Sequence, residues 1–193
     1  YVIAGSRGVG TQIKSLPYTI SSPGFYYIAR DLSCAAGSHG ITITADNVTL
    51  DLMGFSLVWS GTGSFDGIYM YNRDNVEIRN GTVRNFSRHG ICEHNTGGTG
   101  HRVINIRAKD NGNTGISLCG KSNIVERCTV VGNGTYGIYA VNHSTVTGNT
   151  CCNNTDYGIY LGMYNLVDQN TATGNGTNMN SPTGCVFGTN CAP

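Results

Sequence analysis

Apolar and polar positions alternate along this chain in short runs of three to six residues, which are separated by Gly and Asn. The unit Gly-Ile-x-apolar occurs as GIYM, GISL, GIYA and GIYL, and stretches such as NVTLDL and NVEIRN carry the same period of two. Alternation of this length between Gly and Asn is typical of β-strands, and the frequent Gly and β-branched residues disfavour helices. The pattern therefore predicts an all-β chain.

The Gly-Ile pair returns at a nearly regular interval. Its glycines are Gly40, Gly67, Gly90, Gly115, Gly137 and Gly158, which are 27, 23, 25, 22 and 21 residues apart. Each unit contains three short alternating runs, so one repeat supplies three strands. A repeat of this length indicates a solenoid, in which each coil is stabilised mainly by its neighbours above and below.

The two-residue period also predicts which side chains face the interior. Equivalent positions predict one apolar column of Ile68, Ile91, Ile116, Ile138 and Ile159, and another of Val83, Ala108, Val130, Cys151 and Ala172. Asn111, Asn133, Asn154 and Asn175 align at a turn. We expect left-handed backbone at these four asparagines and hydrogen bonds between their stacked amides.

The repeat units, with lines such as ADNVTLDLMGFSL and NVEIRNGTVRNFS, resemble the right-handed parallel β-helix repeat proteins of the pectate-lyase-like superfamily, in particular its uncharacterised exported members. The resemblance implies a single right-handed parallel β-helix of about seven coils with three short strands per coil. The superfamily includes polysaccharide lyases, hydrolases, uronan epimerases, tail-spikes and adhesins, so its fold alone does not select a function.

Three segments are expected along the chain. Residues 1–15 form an N-terminal extension, residues 16–178 form the single β-helix domain, and residues 179–193 form a tail in which Cys185 and Cys191 could close a disulfide hook. The even number of eight cysteines favours an oxidising compartment, and the start at Tyr1 is typical of a processed, exported chain. We therefore expect an extracellular or cell-surface protein.

Charge narrows the range of partners. Charged residues make up 12% of the chain and the net charge is +1, so no overall field attracts nucleic acid or an anionic membrane. No apolar run approaches the roughly 18 residues that a membrane-spanning helix needs. All 12 Lys and Arg lie at or before Arg127, and Asp156 and Asp168 are the only acidic residues after Thr129. Acid–base chemistry would therefore belong to the first two thirds of the chain.

An enzyme hypothesis uses the two longest coils. The inserts at residues 59–66 and 95–100 lie on opposite sides of one predicted strand column, so they could wall a groove over coils two and three. A polysaccharide lyase or uronan epimerase needs a base, an acid and a charge clamp. The candidate catalytic residues are Tyr71, Arg88, His89, His94 and Arg102. The chain shows neither the carboxylate pairs of glycosidases nor the acidic calcium cluster of pectate lyases or the Asp-Pro-His-Glu line of the epimerases, so catalysis stays open and is not favoured.

A binding hypothesis uses four tyrosines. Tyr69, Tyr71, Tyr139 and Tyr160 are predicted to form an exposed stripe, and aromatic faces pack well against sugar rings or a protein partner. The chain would then be a carbohydrate-binding module. The alternative is that tyrosine simply suits a half-exposed strand.

A metal hypothesis is weaker. Cys92, Glu93 and His94 could offer ligands together with Cys119, but their spacing matches no established zinc pattern. We expect neither a metal nor a cofactor. Glu93 falls at an inward-facing position, where a carboxylate needs a partner, so either the register slips there or the carboxylate meets a partner such as Arg102.

A structural hypothesis uses the ends of the coil and is the one favoured here. The ends of a β-helix expose unpaired backbone groups, the sequence predicts no capping helix, and head-to-tail contacts that do not close produce a filament. We expect an extracellular structural protein that assembles head-to-tail with itself into a fibre, with glycans as candidate further partners. The candidate glycosylation sites are Asn47, Asn80, Asn85, Asn133, Asn142, Asn153 and Asn175, each followed by x-Ser or x-Thr.

Overall fold

The computed structural model describes residues 10–35 and 37–193, and in this part of the chain it contains only strands and turns. In chain order the strands are β1 (Thr11–Ile13), β2 (Tyr18–Ile20), β3 (Gly24–Ile28), β4 (Leu32–Cys34), β5 (Ile41–Ile43), β6 (Val48–Asp51), β7 (Ser56–Trp59), β8 (Ile68–Met70), β9 (Val76–Arg84), β10 (Ile91–Glu93), β11 (Arg102–Lys109), β12 (Ile116–Leu118), β13 (Ile124–Glu126), β14 (Thr129–Val131), β15 (Ile138–Ala140), β16 (Thr145–Thr147), β17 (Thr150–Cys152), β18 (Tyr157–Leu161), β19 (Leu166–Asp168), β20 (Thr171–Thr173), β21 (Thr177–Met179) and β22 (Val186–Phe187). Within these residues no helix is present that could cross a membrane.

The strands wind into a parallel β-helix of about seven coils with three faces. The front sheet has eight strands in the order β2-β5-β8-β10-β12-β15-β18-β21. A second face has the order β1-β3-β6-β9-β11-β13-β16-β19-β22, and a third contains β4, β7, β14, β17 and β20. The long strands β9 and β11 belong to both of these faces and join them into one sheet. The predicted fold is confirmed.

Strict register stacks equivalent side chains of successive coils above one another in the interior. Ile68 pairs with Ile91, which pairs with Ile116, and the same column continues through Ile138 and Ile159. The predicted column from Val83 to Ala172 is also in register. All ten side chains are fully buried. The period of two in the sequence therefore fixes the core, because a one-residue slip would turn every inward side chain to solvent.

Asparagine amides connect the coils at the corners. Asn111 donates from Nδ2 to Oδ1 of Asn133 at 3.0 Å, and the same bond links Asn133 to Asn154 and Asn154 to Asn175 at 2.9 Å. Each Oδ1 also accepts the backbone N–H of the asparagine one coil earlier, and Nδ2 donates to a backbone carbonyl. This first ladder therefore satisfies main-chain groups that the turn takes out of the sheet.

Two further ladders occupy the other corners. Asn149, Asn170 and Asn190 repeat the amide-to-amide bonds at 3.0 Å. At the third corner the backbone N–H groups of His101, Asn123 and Ser144 each donate to the side chain of the next coil. The sequence analysis identified only the first of these ladders.

The expectation of left-handed backbone at the ladder asparagines is wrong by one residue. The positive φ angles belong to the preceding residues, namely Asp110 (55°), Gly132 (70°), Asn153 (56°) and Gly174 (68°). The preceding residue turns the chain outward, and the asparagine after it then points inward, where its amide reaches the next coil. Asn, Asp and Gly are the residues that tolerate this conformation best.

Parallel pairing extends past the expected domain limits at both ends. β1 pairs with β3 from residue 11, β22 pairs with β19, and Cys191 bridges to Thr171. The disulfide hook between Cys185 and Cys191 is absent. Cys185 instead takes a corner position of the third ladder, where its Sγ accepts the N–H of Asn165 and donates to the carbonyl of Gly162, while Cys191 is exposed on a different face.

The ladder is expected to contribute measurably to stability. Replacement of Asn154 by Ala leaves the backbone N–H and the amide of Asn133 without their acceptor, so the free energy of unfolding should fall by about 3 kcal/mol. Urea denaturation measures this change. The exposed Asn95→Ala variant is the control and should cost less than about 1 kcal/mol. Equal stability of the two variants would contradict a structural role for the amide ladder.

Candidate functional site

The longest loops flank the front sheet, as the sequence analysis expected. Residues 59–66 lead into β8 and residues 95–100 follow β10, so they lie at opposite edges of the same two strands. The outward side chains between them follow the predicted column: Thr42, Tyr69, Cys92, Ser117, Tyr139 and Tyr160 are in register. The candidate site is this outer surface of the front sheet.

A second outward column lies at the leading edge of the front sheet. It consists of the residue before each Gly-Ile pair, in order His39, Asp66, His89, Thr114, Tyr136 and Tyr157. Neighbours in this column touch: His89 donates its backbone N–H to Asp66 at 3.0 Å, and Thr114 donates its backbone N–H to His89 Nδ1 at 3.3 Å. The sequence analysis missed His39, Asp66, Tyr136 and Tyr157, although the repeat alignment could have found them.

Asp66 is the buried centre of this edge. Its carboxylate is 0% exposed, and Oδ2 lies 3.2 Å from His39 Nδ1 and 3.7 Å from Arg88 Nη1. Burial alone would raise the pKa of this carboxyl. The pKa is nevertheless lowered, because hydrogen bonds with His39 and with the His89 backbone and nearby positive charge outweigh burial. Oδ2 has no hydrogen bond of good geometry. His39 Nδ1 accepts the backbone N–H of Asp66 at 3.1 Å.

His89 and Cys92 next to this carboxylate are both held in their neutral forms. Burial lowers the pKa of the His89 imidazole, and Asp66 opposes that effect only in part. Burial likewise raises the pKa of the Cys92 thiol far above its ordinary range. Cys92 is 2% exposed, so it is neither a thiolate nor an accessible nucleophile.

Asp66, His89 and Cys92 bring a carboxylate, an imidazole and a thiol within 4.8 Å of one another. This ligand set would suit zinc, but two contacts oppose a metal. Nδ1 of His89 accepts the Thr114 N–H, so the neutral ring carries its proton on Nε2, which is the nitrogen that a metal would need. The Arg88 guanidinium also faces the carboxylate. These contacts favour a hydrogen-bonded cluster.

A shallow depression lies at the opposite edge of the front sheet. It measures about 370 Å³ and is lined by Tyr71, His94, Asn95, Thr96 and Cys119. Asn95 donates from Nδ2 to the Tyr71 hydroxyl at 3.2 Å, which ties the 95–100 loop to the ring. The depression offers ring faces, an amide and hydroxyls, which are groups that can hold a sugar.

Four rings, here called the ring row, cross the sheet between the two edges. His39 stacks on Tyr69 with centroids 4.3 Å apart, Tyr69 lies 6.3 Å from His94, and His94 lies 6.4 Å from Tyr71. The predicted tyrosine stripe is therefore split, because Cys92 and Ser117 separate these rings from Tyr139 and Tyr160.

The second aromatic group, here called the tyrosine cluster, consists of Tyr136, Tyr139, Tyr157 and Tyr160. Tyr160 stacks against Tyr136 at 5.1 Å and against Tyr139 at 5.6 Å, and it meets Tyr157 edge-on at 5.0 Å. Burial raises the pKa of Tyr136 and of Tyr139. The cluster offers a half-exposed apolar surface with hydroxyls at its margin.

The candidate catalytic residues do not form one constellation. Tyr71 and His94 line the depression, whereas Arg88 and His89 lie beside Asp66 at the other edge. Arg102 lies on the second face, where its Nε is 3.2 Å from Glu77 Oε2. Arg102 therefore lies away from the other four candidates, because the chain turns a corner between β10 and β11.

The inward Glu93 keeps the register and meets a partner other than Arg102. Glu93 is inward and 0% exposed, as expected, but its Oε1 lies 3.3 Å from Nε2 of the equally buried His101. Oε2 accepts the backbone N–H of Gly120 at 2.8 Å. A side chain at Gly98 would collide with the carboxylate, so glycine in the 95–100 loop makes room for this buried pair. Glu93 thereby anchors the loop that carries the depression.

The candidate glycosylation sites differ in access. Asn133 is 1% exposed and its amide belongs to the first ladder, so it cannot carry a glycan in the folded protein. Asn80 and Asn175 also use their amide nitrogens in hydrogen bonds. The positions that stay candidates are Asn47, Asn85, Asn142 and Asn153, which are exposed or half-exposed.

The lowered pKa of His89 predicts a pH dependence of stability. The unfolded chain binds a proton at this imidazole near its ordinary pKa of 6.5, before the folded protein does. Its contribution is therefore complete above pH 6.5 and is lost as the pH falls from there toward the folded pKa. His89→Gln should flatten the urea midpoint against pH in this window, whereas His143→Gln, a replacement of an exposed histidine, should not. Identical profiles for wild type and His89→Gln would contradict the burial argument.

Comparison with known proteins agrees with the architecture. A family model described as the right-handed beta helix region matches residues 19–191. The crystal structure of the Dettilon tailspike protein is similar at 15% identity with a TM-score of 0.49, covering 93% of this chain and 58% of that chain. A double mutant of the periplasmic alginate epimerase AlgG is similar at 13% identity with a TM-score of 0.43, covering 83% of this chain and 64% of that one. No curated protein sequence matches. The chain, which spans less than two thirds of either structure, belongs to the right-handed β-helix family.

Proposed function

We propose that this chain is an extracellular structural rod that assembles head to tail into a fibre. The observation that carries the proposal is an exposed apolar surface on the last two coils. Met163, Tyr164, Leu166, Val186 and Phe187 are 37–64% exposed and are here called the end patch. Leu166 and Val186 are in register, so their side chains are neighbours on the second face. Contiguous exposed apolar surface on a soluble protein is typical of an interaction site.

Strand edges support the same contact. In the part of the chain that the structure describes, β21 and β22 pair on one side only, and so do β1, β2 and β4 at the other end. Because every strand pair in the coil is parallel, the last coil of one copy presents an edge that matches the first coil of the next. Such a contact would satisfy both edges, and since it does not close, it would generate a filament.

Charge does not oppose this contact. From Thr129 onward the chain has no Lys or Arg, and Asp156 and Asp168 are its only acidic residues. The coils near the end patch therefore carry little charge that would repel a second copy. The exposed sequon asparagines lie along the coil, where glycans would be compatible with stacking of the ends.

Charge introduced into the end patch should abolish assembly. Val186→Glu and Leu166→Glu replace exposed side chains, so folding should survive while desolvation of the new carboxylate prevents docking. Negative-stain microscopy should show rods for wild type and single 20.5 kDa particles for both variants. Met53→Glu alters an equally exposed residue away from the patch and should leave the rods intact.

A mixing experiment separates head-to-tail assembly from a symmetric dimer of ends. The Val186→Glu protein keeps its first coil, so it should add to one end of a wild-type rod and stop growth there. Rods should shorten as its fraction increases. Strictly monomeric wild type at the highest attainable concentration, or dimers that never exceed two copies, would overturn the proposal.

Carbohydrate binding is a second candidate function, favoured by the tyrosine cluster. Stacked rings with nearly parallel planes, such as Tyr139 and Tyr160 at 19°, provide a surface against which the apolar face of a sugar ring can pack. The ring row and the depression would extend the same surface along the front sheet. This function is compatible with a rod, since it uses a side of the coil and not its ends.

Loss of the cluster should abolish such binding without unfolding the chain. Tyr139→Ala and Tyr160→Ala remove half-exposed rings, and each should weaken glycan binding on an array by roughly tenfold or more. Tyr27→Ala is the matched control, because Tyr27 is a half-exposed ring that stacks on Phe25 on the second face. Unchanged binding in the two cluster variants, or no bound glycan at all, would exclude this candidate.

A further inference from the structure

A cavity of about 310 Å³, here called the corner cavity, opens where β9 and β11 bend from the second face to the third. Its polar lining comes from Asn80, Asn105, Arg107, Arg127 and Thr129, and Gly54 leaves one wall open. The cavity is remote from the front sheet, and neither the assembly contact nor the tyrosine cluster uses it.

Two guanidinium groups meet at the corner cavity. Arg107 donates from Nε to the Thr82 hydroxyl at 3.1 Å, which orients the side chain and leaves its two terminal amino groups to face a ligand. Arg127 lies with its Nε 3.1 Å from Glu126 Oε1. No residue that lines the cavity is acidic, and of its two cations Arg127 is paired with Glu126 whereas Arg107 is bonded to a neutral hydroxyl. Paired guanidiniums are well suited to carboxylate and sulfate groups.

Asp51, which bonds to the lining residue Asn80, is already paired with a cation. Asp51 accepts from Arg79 Nε at 2.8 Å and from Asn80 Nδ2 at 3.2 and 3.3 Å. Asn105 in turn donates from Nδ2 to Asn80 Oδ1 at 3.0 Å. Asp51 is thereby occupied by Arg79 and Asn80. It therefore does not compete with an anionic ligand for Arg107 or Arg127.

The side chain at the corner position beside the cavity changes from coil to coil. Asn80, Asn105 and Arg127 occupy equivalent corner positions with φ of 56°, 53° and 53°. After Asn80 and Asn105 a third asparagine would continue the amide ladder, but the chain places Arg127 there. The side-chain amide of Asn105, which lines the cavity, therefore keeps its Oδ1 and one of its two N–H groups for bonding to hydroxyl groups.

Size and chemistry together define the ligand class. Ligand pockets begin at about 300 Å³, so the corner cavity suits one ring and not an extended chain. Its guanidiniums match an oxyanion, and its amide and threonine hydroxyl match the hydroxyls of a sugar. We propose that the corner cavity binds one acidic sugar unit, whose sulfate ester or uronate carboxylate is held between Arg107 and Arg127.

Titration calorimetry of the full chain tests this proposal with glucuronate, glucose 6-sulfate, glucose and inorganic sulfate as probes. At least one acidic sugar should bind more tightly than glucose and inorganic sulfate. Arg107→Gln and Arg127→Gln should each weaken that binding by roughly tenfold, the usual loss for a charged hydrogen bond. Arg84→Gln is the control, because Arg84 is a neighbouring cation outside the cavity lining, and it should change affinity little.

A second kind of variant keeps the test informative if the arginine variants fail to fold. Asn105 is exposed, and Asp has the same shape and also tolerates left-handed backbone, so Asn105→Asp should fold. The new negative charge should repel the oxyanion and abolish binding. Circular dichroism should confirm that the variant is folded. The two acidic probes show which oxyanion is preferred. Failure of both to bind, equal affinity for inorganic sulfate, or an equal loss in Arg84→Gln would overturn the proposal.

Discussion

The structure depends on one constraint, namely that each backbone polar group must find its partner in the neighbouring coil. Strands meet this requirement by parallel pairing, but each coil also has three corners, where the chain leaves the sheet. The inward asparagines complete the pairing there, because one amide both accepts a backbone N–H and donates to the next amide. A coil that shifted by one residue would lose both the apolar columns and the ladders. Register is therefore enforced twice, by burial and by hydrogen bonds.

That constraint determines where chemistry can appear. Outward columns repeat the same backbone position from coil to coil, so a change of side chain within a column creates a site without disturbing the fold. The residue before each Gly-Ile pair is histidine, aspartate, threonine or tyrosine in different coils, and the buried Asp66 cluster and the tyrosine cluster both result from that variation. The corner cavity lies beside another such change, since Arg127 follows Asn80 and Asn105 at the same corner position.

Charge is distributed unevenly along the rod. Every arginine and lysine lies at or before Arg127 in the sequence, and the earlier coils also contain the buried Glu93–His101 pair and the long loops. The later coils are regular, nearly uncharged and rich in asparagine, and their exposed side chains are more apolar. The proposed corner cavity and the end patch therefore lie in different parts of the coil. A rod built in this way could present ligand sites along its sides while its ends are engaged.

The sequence by itself determined the coil, its period and the direction in which each strand residue points, because a repeat and a period of two act locally and leave a direct pattern. Ile68, Tyr69 and the inward Glu93 were all placed correctly for this reason. Only the tertiary structure decided which side chains meet across a corner. The rotation of the chain between β10 and β11 gives Glu93 the neighbour His101 and sends Arg102 to another face. At the next corner, after β11, the left-handed turn belongs to Asp110 rather than to Asn111. Such contacts depend on how far each corner turns in three dimensions, and strand periodicity carries no information about that angle.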